Sequence, residues 1–238
     1  MSGHSKWSKI KRQKGSADAA RGNLFTKLGK NITLASKTGG GDIDMNFSLR
    51  LAVDKAKTAN MPRDNIEKAI KRGTGELEAG ILEEITYEGY GPGGAAILVE
   101  TITDNKNRTV SDVKHLFSKS GGNLGTSNSV AWMFTQRGVI NLEDINDKED
   151  MELKAIDAGA EDIISDDDNF TIYTSPKELQ AVKEKLEQQG ISIPYAEMEM
   201  IAKDKAEVTA EEKIRLENFF EALEENDDVN DYYTNVEL

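Results

Sequence analysis

Apolar residues recur at helical spacing through the first third of the chain. Ala20, Leu24, Leu28 and Ile32 form one series, Leu49, Val53 and Ala56 a second, and Ile66 and Ile70 a third behind Pro62. These predict three helices. Thr38-Gly-Gly-Gly41 separates the first two, and Gly73 with Gly75 closes the third, giving an all-α domain over residues 16–78. Ahead of it, residues 1–15 alternate small polar residues with cations and hold too few apolar positions to offset the entropy of ordering, which predicts a mobile arm.

From about residue 80 the period becomes that of strands. Residues 81–87 and 95–103 predict two strands joined through Gly89-Tyr-Gly-Pro-Gly-Gly94. A helix is expected near Thr109, with Asp112 placed for a capping box and Gly121-Gly122 as its end, and residues 129–134 read as the next strand. Then come a strand at 139–142, a helix at 149–158, strands at 162–165 and 170–174, a helix opened by Ser175-Pro-Lys-Glu178, and a strand at 191–193. That order is β-α-β-β-α-β, the ferredoxin-like pattern. Residues 81–134 give only part of such a unit, and the C-terminal segment supplies a helix capped by Thr209 and Glu212 with a strand at 232–236. The expected fold is therefore α+β and multi-domain: an N-terminal three-helix domain followed by two α+β (ferredoxin-like) domains, one inserted in the other. Residues 79–136 with 205–238 form the split domain and 137–204 the inserted one. A separate C-terminal helical hairpin satisfies the same local signals.

Charge changes the picture. Residues 1–75 carry 16 Lys/Arg against 6 Asp/Glu, and the remaining residues carry 14 against 37, so the net charge of −13 conceals a basic end. A polyanion would meet the basic end first and be repelled by the rest, which points to nucleic acid as the partner. In the arm, Lys6, Lys9, Lys11, Arg12 and Lys14 are placed to contact phosphate, and Trp7 among them can stack on a base. Docking of Trp7 and Ile10 onto the first helix is the competing role. Arg21, Lys27, Lys30, Arg50, Lys71 and Arg72 extend the basic surface over the helices. Lys106 and Arg108, with Asn105 and Asn107, precede a helix and suit either phosphate contacts or caps and turns.

Catalysis finds little material. The chain has no cysteine and only two histidines, His4 and His115, so Cys-His chemistry and a zinc site are not expected, and no cofactor or metal is called for. Gly89–Gly94 lacks the Gly-Lys-[Ser/Thr] ending of a phosphate-binding loop and reads as a turn, although Tyr90 beside the glycines could lie on a base or sugar. Asp166-Asp-Asp-Asn169 lacks the ligand spacing of a calcium loop and reads as a strand-to-strand turn. No run approaches the roughly 18 apolar residues of a spanning helix, and the N-terminal charges precede no secretory apolar stretch, so the cytoplasm is the expected compartment.

Met1-Ser-Gly-His-Ser-Lys-Trp7, Arg21-Gly-Asn-Leu-Phe-Thr-Lys27, Tyr87-Glu-Gly-Tyr-Gly-Pro-Gly-Gly94, Asp104-Asn-Lys-Asn-Arg-Thr109 and Ser120-Gly-Gly-Asn-Leu-Gly125 together resemble the YebC/PmpR family over essentially the whole chain. The resemblance implies a cytoplasmic protein of three domains; that it is not an enzyme is the expectation from its scant catalytic material. The resemblance further implies a transcriptional regulator on promoter DNA or a translation factor at the ribosome on ribosomal RNA. Asn23 stands where the family pattern leads one to expect Lys or Arg, which would leave one phosphate contact unmade.

Overall fold

The structure, a computed structural model, describes residues 18–78, 80–143, 145–165 and 169–237. Helices α1 (Asp18–Gly39), α2 (Phe47–Thr58) and α3 (Arg63–Thr74) open the described chain. Asn46 caps α2 by accepting the Leu49 N–H, and its amide also donates to Ala35 O and Gly40 O, tying the α1–α2 turn together. Gly75 closes α3 in the left-handed conformation at φ +82°. Gly73 is the next-to-last residue of α3 and faces α1, where a Cβ would come 2.3 Å from Thr33 O. Its lack of a side chain is what lets α1 and α3 approach around Leu28, Ile32, Leu49, Val53, Ala56 and Ile66.

Strands β1 (Glu83–Tyr90) and β2 (Ala96–Thr103), helix α4 (Lys106–Lys119) and the short strand β3 (Asn123–Leu124) follow. After them come β4 (Phe134–Leu142), α5 (Lys148–Ala158), β5 (Asp162–Ser165), β6 (Phe170–Thr174), α6 (Leu179–Gln188), β7 (Tyr195–Ala202), α7 (Ala210–Glu225) and β8 (Val229–Thr234). Among the described residues the chain forms two compact units, one of residues 134–201 and one joining the residues before Phe134 to those from Ala202 onward. The latter holds a sheet of order β3-β1-β2-β8, antiparallel throughout, with Glu83 opposite Thr103 and Tyr90 opposite Ala96. Helices α4 and α7 pack on it through Phe117, Leu216, Phe219, Phe220 and Leu223, with the Phe117 and Phe219 rings edge to face at 4.9 Å. The other unit holds a sheet of order β5-β6-β4-β7, which is the strand arrangement of a ferredoxin-like β-α-β-β-α-β chain.

Four local expectations are corrected. Helix α4 begins three residues before Thr109, because Asn105 accepts the Arg108 N–H and caps it there, while Thr109 is buried one turn in. Residues 129–133 are not a strand: Glu88 takes the N–H groups of Val130 and Ala131, so they have none to give a ladder, and the strand starts at Phe134. The strand expected at 191–193 lies at Tyr195–Ala202 instead, past Pro194, whose ring supplies no donor. The last strand spans Val229–Thr234 where 232–236 was expected.

Candidate nucleic-acid interface

Helix α1 carries a row of polar side chains that meets the C-terminal end of α7. Asn23 Nδ2 donates to Glu225 O at 2.8 Å, Lys27 Nζ to Glu224 O at 2.5 Å, and Lys30 Nζ to Asp227 O at 2.8 Å and Ile102 O at 3.0 Å. The last carbonyls of a helix have no partner within it and carry the negative end of its dipole, so Asn23 and Lys27 satisfy the end of α7 and bind it to α1, while Lys30 ties α1 to the turn after α7 and to β2. The Asn23 amide serves the helix end. Burial pushes the Lys27 ammonium down to about 8, with Glu224, Asp231 and Asp227 offsetting only part of the cost.

Asp228 lies at the centre of this junction. Its side chain is 5% exposed and accepts from Lys30 Nζ at 2.8 Å, from Arg108 Nη2 at 2.7 Å and Nε at 3.1 Å, and from Thr109 Oγ1 at 2.8 Å. Thr103 completes the cluster, its Oγ1 lying 3.3 Å from Asp228 Oδ2 and 2.8 Å from Thr109 Oγ1. Burial alone would raise the Asp228 carboxyl; the hydrogen bonds from Lys30, Arg108 and Thr109 outweigh it and hold the pKa at about 2. α1, β2, α4 and the turn before β8 are thus pinned to one carboxylate. Nothing in the sequence marked it, since Asn226-Asp-Asp228 reads as an ordinary polar turn.

Lys27, Lys30 and Arg108, expected to meet phosphate, are spent on the protein's own groups. Lys106 pairs with Glu83 at 2.5 Å, and Arg108 also reaches Asp104 at 3.0 Å. The Arg50 guanidinium lies 5.7 Å from the centre of the Phe47 ring. Arg21, Lys71 and Arg72 are exposed. Lys68, not among the cations expected to bind, is exposed too, and at spacings of three and four it shares one face of α3 with Lys71 and Arg72. Lys6, Trp7, Lys9, Lys11, Arg12 and Lys14 lie outside the described residues, as do Asp166, Asp167 and Asp168 of the expected turn.

On β1, Tyr90 is half-buried and its hydroxyl donates to Ser129 O at 3.0 Å, which does not favour the alternative in which its ring lies on a base or sugar. His115 is exposed on α4. Among the described residues no group of three or more His, Asp or Glu side chains could hold a metal ion, and no helix is long and apolar enough to cross a membrane.

A three-helix segment joined to an α+β sheet, together with a ferredoxin-like unit, defines the class of this protein. Residues 5–76 match the model of the TACO1/YebC N-terminal domain and residues 82–236 that of the TACO1/YebC second and third domain, so the chain belongs to the TACO1/YebC family. A protein of Desulforapulum autotrophicum named "Probable transcriptional regulatory protein" is 52% identical over 100% of this chain and 97% of its own length. One of the same name from Persephonella marina is 52% identical over 100% of this chain and 96% of its own length. A crystal structure of a conserved hypothetical protein of Aquifex aeolicus, 44% identical, superposes with a TM-score of 0.88 over 98% of this chain and 97% of its own.

Proposed function

We propose that this protein is a nucleic-acid-binding regulator of gene expression in the cytoplasm, working on duplex DNA as a transcriptional regulator, without catalysis and without a cofactor. The observation that carries the reading is the partition of charge, 16 cations against 6 acids in residues 1–75 and 14 against 37 in the rest. Such a chain steers the first encounter with a polyanion to its basic end. The arm (1–15) brings five cations and no acid, and Lys68, Lys71 and Arg72 add an exposed face on α3. The split α+β domain (79–136 with 205–238) and the domain inserted in it (137–204) position these groups or contact a partner. The names of the relatives, which call them transcriptional regulatory proteins, favour DNA.

Crosslinking in living cells, followed by sequencing of the attached nucleic acid, tests the reading. Reads concentrated at promoters are the expected result. Reads piling up on ribosomal RNA would replace it with a translation factor and reduce DNA contact to an electrostatic by-product. In vitro, changing Lys9, Lys11, Arg12 and Lys14 together to Ala is expected to leave the protein folded and remove most of its affinity for nucleic acid; unchanged binding at physiological salt would overturn the role given to the arm.

A further inference from the structure

Trp132 stands 64% exposed in the segment between β3 and β4, on a loop that is held firmly from beneath. The Glu88 carboxylate, itself 9% exposed, accepts the N–H groups of Asn128, Val130 and Ala131 at 2.7, 2.9 and 2.8 Å. Ser129 O receives both the Tyr90 hydroxyl at 3.0 Å and the Trp132 indole N–H at 3.2 Å. Lys203 fixes the other side, its backbone N–H donating to Met133 O at 2.9 Å and its ammonium to Trp132 O at 2.7 Å. The indole's polar edge is therefore occupied while much of the ring is left to water. Holding a large ring in solvent forgoes burial, and holding it in one orientation removes in advance the entropy a partner would otherwise have to overcome.

The flanking exposed groups say what the ring suits. Thr126, Ser127 and Asn128 are hydroxyls and an amide, and Lys203 is a cation. Such a rim can hydrogen-bond sugar and meet phosphate. We propose that Trp132 is a stacking platform for an unpaired nucleobase, with Lys203 meeting the adjoining phosphate, so that the protein engages single-stranded segments through its α+β body as well as duplex through its basic end. The inference rests on the nucleic-acid reading and names the class of ligand at a second site. Melted DNA and single-stranded RNA offer the same chemistry.

The chain has two tryptophans, so in a Trp7→Phe background the indole emission reports Trp132 alone. That variant is titrated with a short labelled DNA strand, the RNA of the same sequence and the corresponding DNA duplex, following indole emission and label anisotropy together. Emission is expected to be quenched by the single strands and not by the duplex, and the tighter of the two strands identifies the source. Trp132→Ala is expected to weaken single-strand binding about 5- to 150-fold with little change in salt dependence, and Trp132→Phe to recover most of it. Strands that bind by anisotropy while emission stays constant and Trp132→Ala costs nothing would overturn the platform and leave the nucleic-acid reading intact. Failure of the wild-type protein to bind any of the three would remove both.

Discussion

At the scale of single residues, Asp228 decides how the basic end is built. Replacing it by Asn removes the charge that Lys30 and Arg108 share and leaves the partly buried Lys30 ammonium without its counter-ion. Breaking a buried pair on one side costs about 3–5 kcal/mol, so Asp228→Asn is expected to lower stability in urea by roughly that amount. The pH dependence has a definite sign. A carboxyl held at about 2 when folded and near 3.8 when unfolded contributes stability that is complete above 3.8 and is lost as pH falls through 2. The wild-type protein should therefore lose more stability than Asp228→Asn across that interval. Lys27 runs the other way. With its pKa lowered by burial from 10.5 to about 8, the unfolded chain binds the extra proton, and stability rises with pH between those values. Lys27→Met is expected to flatten that rise in unfolding measurements at pH 7 to 10. None of this was legible in the sequence, because cations destined for a helix end and cations destined for solvent look alike until the partner carbonyls, some 197 residues away for Lys27 and Glu224, are in place.

At the scale of elements, the chain was most readable where a local rule fixes the end of a helix. Thr209 and Glu212 form the capping box that their spacing announces, and α7 follows with Leu216, Phe220 and Leu223 buried. It was least readable where a distant side chain captured the backbone, as Glu88 does to residues 128–131, turning an apparent strand into a loop. Strand β7 lies a few residues past the short apolar stretch at 191–193, although glutamates and methionines alternate along Tyr195–Ala202 as a strand allows. Gly73 shows how a misread element position changes a prediction. As a helix terminator it would tolerate Ala, since Gly75 supplies the left-handed turn. Inside α3 and facing α1, an added methyl would meet Thr33 O at 2.3 Å and Ser36 Cβ at 2.5 Å. Gly73→Ala is expected to separate the two helices and cost about 1–3 kcal/mol, read as a lowered melting temperature, despite the better helix propensity of Ala. A neutral or stabilising result would mean that the α1–α3 contact yields more easily than a backbone carbonyl should.

At the scale of the whole molecule, net charge and usable charge differ. The 16 cations of residues 1–75 include Lys27 and Lys30, which serve the α7 end and Asp228. The partition by sign was visible in the sequence; the division between structural and available cations was not. The two groups are separable in solution, because each phosphate contact on duplex DNA contributes about −0.9 to the slope of log K against log salt, whereas a structural cation contributes only through folding. Changing Lys71 and Arg72 to Ala is expected to reduce the magnitude of the slope by about two, with the melting temperature nearly unchanged. Lys27→Met is expected to leave the slope alone while shifting the melting temperature. Binding isotherms of the two variants between low and physiological salt distinguish these outcomes. If Lys27→Met flattens the slope as the double change does, the α1–α7 junction opens to bind nucleic acid, and the contacts described at Glu224 belong to the free protein alone.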